Sequence, residues 1–441
     1  MLAGGGLSVV SCSTAGEPES RTESAAEIRN LSTISCPDVG DSFQGSTSTD
    51  PATQESLGLL DQQVADAYQT LVGTDGSPKH TEDVLADLAT RRRQTIAEIA
   101  DSRHTAADQR SALLTMATCS VKSEAAGPAA DGAVTALSGQ NGKGAKARAN
   151  GLSSRDFVDI TKAQPNAAPP TGGKGASTGT FSSRCGTNEN QQHLNADNVI
   201  VTPGVQAAAH HEHDYVGNTS TDFRSSLTTL QAARTTCTNG DLSTYYAPVV
   251  RLLGSPPGQD ANRPGGGPDQ NQGSILTPAG FDITFRGNPA GPVQAMDFGT
   301  RIITGDAKAF TNGPGNAHAS WSCSGFENIQ FKDKYPLCPA NSKMVRTFAF
   351  PDCSNGQQDS ANHRSHTAFA NDRGQCPKGF HPVPQLVMTV SYVIPPGQFY
   401  AVDSFPEQVH KPVTDHADFI NVMNRPLMDK AVACINSGMK C

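Results

Sequence analysis

The first half of the chain contains apolar side chains at helical spacing. Leu57, Leu60, Val64, Ala67 and Leu71 recur every three or four residues, and a second set does the same between 84 and 117. Because residues three and four apart lie on one face of an α-helix, this spacing predicts amphipathic helices. We therefore expect a small helical hairpin or three-helix bundle over residues 55–120.

From about residue 179 the pattern changes to short runs of β-branched and aromatic residues, each bounded by Gly, Pro, Asn or Asp. Such runs predict strands, here at 198–202, 244–253, 282–285, 301–304, 345–350, 386–394 and 399–402. Several short strands with long loops favour a mainly β fold, an antiparallel β-sandwich or jelly-roll-like domain. One helix is predicted at 425–435, with Pro426 near its start.

Composition divides the chain into four segments. Residues 1–54 are expected to form an export-signal-like or lipoprotein-like tail and a disordered spacer, followed by the helical region 55–120. Residues 121–178 consist mostly of Ala, Gly, Ser and Pro. So few apolar residues cannot offset chain entropy, which predicts a flexible linker. Residues 179–441 form the expected disulfide-rich domain with histidine clusters.

The eleven cysteines are dispersed, and eight of them lie from Cys185 onwards. None has the close spacing of a zinc-binding pair, so the set predicts disulfides formed in an oxidising compartment and an extracellular or cell-surface protein. Spacing alone does not determine the connectivity. We expect the short closures Cys323–Cys338 and Cys353–Cys376, and a Cys36–Cys119 link near the helices.

Cys12 follows Val9, Val10 and Ser11, which resembles the end of a bacterial lipoprotein signal and predicts a lipid anchor at Cys12. The alternative is an exported tail with a spare thiol. No run approaches the ~20 apolar residues of a transmembrane helix, so none is expected. The formal net charge of −8 and the lack of basic clusters argue against a nucleic-acid partner.

Histidines are concentrated in three polar clusters, at 210–218, 359–366 and 416–419. In an extended segment, residues two apart share a face, so His211 can converge with His213, and His416 with Asp418. His363 and His366 would share a face on a helical turn.

Three kinds of chemistry use such groups. A divalent metal would be held by His211, His213, His363 and His366. General acid–base catalysis needs a carboxyl or imidazole oriented by a neighbour, and glycoside hydrolysis needs two carboxyls. The candidate catalytic residues are Asp214, Asp418, His213, His363 and His416. Each histidine could instead form a structural hydrogen bond.

Several ordered blocks, at 181–185, 197–204, 211–218, 241–248, 350–353, 359–366 and 416–421, resemble one family. They are similar to the secreted bacterial and fungal proteins grouped as the domain of unknown function nineteen ninety-six, over about 180–436. Relative to the family pattern, Tyr215, Tyr246, Ser354 and Asn362 are departures. Family members are often joined to sugar-binding modules, so the resemblance implies a polysaccharide or cell-wall target.

The leading hypothesis is an exported enzyme that cleaves polysaccharide, as a glycoside hydrolase or lyase, through the histidine and aspartate site. The candidate substrate-binding residues are Asn218, Arg224, Tyr215, Tyr246 and Asp359. Two alternatives remain open, namely a surface carbohydrate-binding module without turnover and a metal-binding protein.

Overall fold

The computed structural model of the protein describes residues 32–43, 50–73, 78–123, 151–168 and 172–441. Cys12 and the lipid anchor predicted there lie outside the described residues, as does most of the predicted tail. No described helix has the length and apolar character to cross a bilayer.

The predicted helical region is confirmed. Asp50 caps its first helix, accepting a hydrogen bond from the Thr53 amide at 2.9 Å, and Pro51 follows at the first helical position. The predicted C-terminal helix is also confirmed and extends one residue further than expected. The described helices are α1 (Pro51–Val72), α2 (Pro78–Ser102), α3 (Ala107–Thr115), α4 (Leu227–Ala232), α5 (Ala309–Asn312) and α6 (Arg425–Asn436).

The remainder of the chain is mainly β, as predicted. The described strands are β1 (Ser32–Ser35), β2 (Ser120–Ser123), β3 (Phe157–Asp159), β4 (Thr180–Ser183), β5 (Leu194–Asn195), β6 (His213–Gly217), β7 (Thr244–Pro248), β8 (Val250–Leu252), β9 (Ser274–Ile275), β10 (Gly280–Arg286), β11 (Arg301–Gly305), β12 (Ala319–Cys323), β13 (Tyr335–Leu337), β14 (Met344–Ala349), β15 (Cys353–Ser354), β16 (Thr367–Ala368), β17 (His381–Pro382), β18 (Gln385–Tyr392), β19 (Tyr400–Val402) and β20 (His416–Ile420).

Two five-stranded sheets form the sandwich. The first has the order β12-β14-β18-β10-β4 and the second β11-β20-β7-β6-β5, with antiparallel pairing throughout. Their inner faces share one core, in which the Phe285 ring of β10 lies 6.5 Å from Tyr245 of β7 and 5.9 Å from Phe419 of β20. The other described strands form smaller sheets of two or three strands.

Alternation along the second sheet places a row of polar and aromatic residues on its outer face. Tyr245 and Phe419 belong to the core between the sheets, so their neighbours Tyr246 and Asp418, which are paired across β7 and β20, point the other way. The outer face of this sheet therefore carries the candidate chemistry.

Two strand predictions differ from the structure. Residues 198–202 form a turn rather than a strand, because the Asn198 side chain accepts a hydrogen bond from the Val201 amide at 3.1 Å. The predicted strand at 244–253 is divided between β7 and β8, which belong to different sheets. The other predicted strands are confirmed, with bounds shifted by one or two residues.

The predicted spacer and linker are wrong in part. Residues 32–35, placed in the disordered tail, form β1 and pair with β2. Leu152 and Phe157, placed in the linker, belong to the sandwich core, and β3 pairs in parallel with β13. The Phe157 ring lies 5.4 Å from that of Tyr335, so tertiary packing recruits a few large residues from an otherwise small-residue segment.

Five disulfides tie the loops, and the three expected pairs are all confirmed. The bonds are Cys36–Cys119, Cys185–Cys237, Cys323–Cys338, Cys353–Cys376 and Cys434–Cys441. The Cys434–Cys441 bond links α6 to the segment that follows it, in which residues 439–441 run along β4. The Cys441 amide donates to the Thr180 carbonyl at 2.9 Å, and the Ser182 amide donates to the Cys441 carbonyl at 2.9 Å.

A three-histidine cluster at the end of the second sheet

Three histidines meet at one end of the second sheet because of its strand order. β6 and β20 both pair antiparallel with β7, so they run in the same direction and begin at the same end. His213 opens β6 opposite Pro248. Asp418 of β20 pairs with Tyr246 of β7. Continuing this antiparallel register by two residues places His416 opposite Pro248, on the side of β7 away from His213. His211 lies just before β6.

The ring nitrogens of this cluster converge. His211 Nε2 lies 3.1 Å from His213 Nε2 and 3.3 Å from His416 Nε2, and the three candidate ligand atoms all lie within 4.8 Å of one another. With metal–nitrogen bonds of about 2.0–2.1 Å, ligands at right angles would be about 2.9 Å apart and tetrahedral ligands about 3.4 Å apart. Both short distances fall within that interval.

Hydrogen bonds fix the tautomers of two of the rings. His213 Nδ1 lies 3.1 Å from the Asp197 carbonyl oxygen, and His416 Nδ1 lies 3.0 Å from the Thr414 carbonyl oxygen. Since a carbonyl only accepts, both Nδ1 atoms carry the proton, and both Nε2 atoms present lone pairs. A proton on His211 Nε2 can be directed at only one of them, and without that proton both contacts oppose two lone pairs. A cation between the rings removes that repulsion.

Burial keeps the cluster neutral. It lowers the pKa of His211 and His213 well below the usual range and lowers that of His416 to about 4, since a charged imidazole loses its hydration in the interior. Neighbouring rings lower the pKa values of His211 and His213 further. A metal ligand must be unprotonated, so the cluster is in its binding form at neutral pH.

A cavity of about 250 Å³ adjoins the cluster, between the outer face of the second sheet and the helical region. His211, His416 and Asp418 line the sheet side, and Leu60 and Asp61 of α1 line the helical side. Burial raises the pKa of Asp418 to about 8, although Arg364 lowers it. Asp418 is therefore protonated at neutral pH and can donate a proton.

Charged groups surround the rest of the cavity. Lys308 Nζ lies 2.6 Å from Asp61 Oδ1 and 3.8 Å from Asp38 Oδ2, and Arg364 Nη2 donates to the Gly305 carbonyl at 2.9 Å. Burial raises the pKa of Glu407 to about 7, and its Oε2 has no hydrogen-bond partner among the described residues.

His363 and His366 lie outside the three-histidine cluster. His363 lines the cavity, but its Nδ1 lies 3.0 Å from Asp359 Oδ1 and its Nε2 lies 3.3 Å from Gln54 Nε2 of α1. His366 contacts Ser360 Oγ and the backbone carbonyl of Arg301 through its two nitrogens. The structure thus joins His211 and His213 to His416, and not to the second histidine cluster of the sequence.

Asp214, a predicted catalytic residue, points away from the cluster. It follows His213 directly, and successive residues of a strand face opposite sides. Its Oδ1 accepts a hydrogen bond from Asn188 Nδ2 at 2.8 Å, and burial raises its pKa to about 7. Of the two predicted acid–base carboxyls, Asp418 is the one that lines the cavity.

The predicted substrate-binding residues have other partners. Asn218 is buried and donates to the carbonyls of Leu230 and Leu242, each at 2.8 Å. The exposed Arg224 pairs with Asp222 at 2.6 Å. The rings of Tyr215 and Tyr246 stack with centroids 4.7 Å apart and are at most 1% exposed, so they form a floor beside His213 instead of a sugar-stacking surface.

Sequence reasoning missed Lys308, Arg364 and Glu407 as cavity residues, together with Asp61 of α1. Lys308 and Glu407 stand apart from any histidine cluster in the sequence, so no local pattern marks them. Arg364 lies inside the second cluster, between His363 and His366, and its position there was the available signal.

The fold and the site define a class of protein, a disulfide-tied β-sandwich with a buried three-histidine cluster on the outer face of one sheet. Residues 198–422 match the model of the family described as Domain of unknown function (DUF1996), and the chain belongs to that family. The match contains the three histidines and Asp418, and α1 to α3 precede it. Neither the curated proteins nor the solved structures include one that matches this chain.

Proposed function

We propose that the protein binds a divalent transition metal through His211, His213 and His416, and that it cleaves extracellular or cell-wall polysaccharide beside this metal as a hydrolase or lyase. The observation that carries the proposal is the convergence of three Nε2 atoms, two of them with tautomers fixed for metal binding. An all-imidazole ligand set suits zinc, copper or nickel better than magnesium or calcium.

The side chains of the cavity have complementary parts in such a reaction. A metal held there would supply Lewis acidity towards an oxygen of water or substrate. Asp418, whose side chain lines the cavity two residues after His416, would act as general acid towards the leaving oxygen. Arg364 is close enough to influence the pKa of both His416 and Asp418, and it would stabilise developing negative charge.

Export and the polysaccharide target rest on observations outside the histidine cluster. The five disulfides support an oxidising compartment outside the cell, and a lipid anchor at Cys12 remains part of this proposal. The polysaccharide target rests on the family resemblance alone. A carbohydrate-binding module without turnover is less well supported, because Tyr215 and Tyr246 are buried.

Metal capture without catalysis is the second candidate. The observation in its favour is the burial of the three rings, which are 1%, 1% and 6% exposed. A storage or structural site is closed to substrate, whereas a catalytic site keeps an open position.

Elemental analysis and activity measurements on the purified chain test both candidates. We expect one metal per chain, lost in His213→Asn and His416→Asn and retained in the control His381→Asn on β17. Release of reducing ends from a panel of cell-wall polymers should disappear in Asp418→Asn while its metal stays bound. Metal without turnover on any polymer, both in the intact chain and in a chain cleaved between residues 132 and 147 after folding, would favour capture. Equal metal content in all variants would refute the site.

A further inference from the structure

The helical region that closes the cavity has a hydrophobic core of its own. We call residues 32–123 the helical cover. Two clusters of its buried side chains, built around Leu60 and Ile96 in one and Val64 and Leu88 in the other, come almost wholly from the cover itself. Ala361 and Val409 are the buried sandwich residues that join them, and the partly buried Phe310 packs against the second cluster. The sandwich therefore contributes few side chains to the apolar clusters of the cover.

The contacts across the cavity are largely polar and charged. The cover presents Asp38, Asp41 and Asp61 to the cavity, together with Arg92. The sandwich presents Lys308 and Arg364, together with the carboxyls of Asp306, Glu407 and Asp418. The Lys308 side chain is 25% exposed. Burial lowers the pKa of its ammonium, but the attraction of Asp61, Asp38 and Glu407, together with the hydrogen bond to Asp61, outweighs burial and raises the pKa overall. Two carboxylates of the cover therefore contact the Lys308 ammonium in the cavity that adjoins the histidine cluster.

The described disulfides do not prevent the cover from separating from the sandwich. Cys36–Cys119 lies within the cover, and the other four disulfides of the described chain join residues from 185 to 441 to one another. Among these described bonds none joins cover and sandwich, which the segment 124–150 connects. The family match begins at residue 198, so the cover is an addition to the matched domain.

We propose that the helical cover is an inhibitory element whose aspartates occupy the binding position of an acidic substrate. Lys308, with Arg364 lining the same cavity, receives a sugar carboxylate once the cover has moved away. The substrate class is a uronic-acid-containing polysaccharide. Asp61 at 2.6 Å from Lys308 shows that a carboxylate fits there, and paired cations suit carboxylate recognition. This inference rests on the proposed function and names its substrate class and its control.

The first test measures access to the histidines in metal-free protein. Acylation of His211 and His416 by diethyl pyrocarbonate, followed by peptide mass spectrometry, requires neither metal nor turnover. Asp38→Asn combined with Asp61→Asn should raise the acylation rate about ten-fold, since two ion pairs that hold the cover are lost. Asp66→Asn is the matched control, because Asp66 is exposed on the same helix and contacts Gln62.

A second form of the experiment does not depend on substitutions in the interface. A protease site placed between residues 132 and 147 of the full chain allows the cover to be cut free after folding. Cleavage in high salt should release the cover and raise the acylation rate of His416 as the double variant does. Unchanged acylation rates in both the double variant and the cut protein would refute the proposal that the cover blocks access to the histidines.

The substrate class is tested on the cut protein by calorimetry. A galacturonate trimer should bind at least about ten-fold more tightly than a neutral galactose trimer, and Lys308→Met should remove that preference. Equal binding of the two trimers, or no binding of either, would refute the proposal that the substrate is acidic. Loss of the metal site alone would refute the proposed function and leave the acylation results as they are.

Discussion

Arg346 connects the two sheets directly beneath the histidine cluster, and its removal gives the sharpest test of the fold. From β14 of the first sheet its guanidinium crosses the core to Asp415, with Nε 3.0 Å from Oδ2 and a second contact between Nη2 and Oδ1. Nη1 donates to the Pro248 carbonyl at 2.9 Å. Pro248 pairs with His213 across β6 and β7, and Asp415 directly precedes His416. This one side chain therefore contacts the backbone beside two of the three ligands.

The structure determines the expected magnitude. The side chains of Arg346 and Asp415 are 1% and 0% exposed, so Arg346→Met leaves a carboxylate buried without its partner. Breaking such a pair destabilises a protein by about 3–5 kcal/mol. Replacing both members by apolar residues, as in Arg346→Met with Asp415→Leu, is expected to be less harmful than the single change, by about 2–3 kcal/mol.

Urea denaturation of the single and double variants measures this coupling. The control is the pair Arg425–Asp429 on α6, which has a similar 2.7 Å contact but side chains that are 78% and 53% exposed. Arg425→Met should change the free energy of unfolding by no more than about 0.5 kcal/mol. The reasoning is refuted if Arg346→Met costs no more than the control, or if its effect and that of Asp415→Leu simply add.

Three further predictions concern other parts of the chain. Burial raises the pKa of Glu407 from 4.5 to about 7, so the folded state retains a proton that the unfolded state releases. Stability is therefore lost as pH rises through that window, and Glu407→Gln should raise the melting temperature at pH 8 but not at pH 4; an equal gain at both would contradict the assignment. Replacing Cys36 and Cys119 by serine opens a loop with a sequence separation of 83, which should destabilise the helical cover by up to about 4–5 kcal/mol. Urea titration should then show the helices unfolding before the sandwich, and a single unchanged transition would argue against this. Trp321, the single tryptophan of the chain, is 0% exposed and donates to the Pro412 carbonyl at 3.1 Å, so acrylamide should quench its fluorescence only on unfolding; quenching of the native protein would place it elsewhere.

Local periodicity predicted the helices and most strands because the residues that define them are neighbours in sequence. The same rule put His211 and His213 on one face, where the structure has them. It could not show that His416 joins them, because that depends on β6 and β20 lying on either side of β7. Alternation along a strand also places Asp214 on the face opposite His213, so its separation from the cluster is predictable from the sequence.

The prediction that His363 and His366 share one face is wrong for a local reason. A helical turn was expected at His363 and His366, but His363 has a positive φ of 54° and lies in an irregular loop. There His363 contacts Asp359, and His366 contacts the Arg301 carbonyl. Composition likewise hid Phe157, a large side chain whose burial depends on Tyr335, far away in sequence.

The strip of backbone formed by residues 439–441 has a consequence for handling the protein. It hydrogen-bonds to β4, the last strand of the first sheet, and the Cys434–Cys441 bond holds it in place. Uncovered strand edges are templates for pairing with other molecules and so for aggregation. Reductant in purification buffers would free this strip, and self-association through β4 should then appear before any loss of helix content.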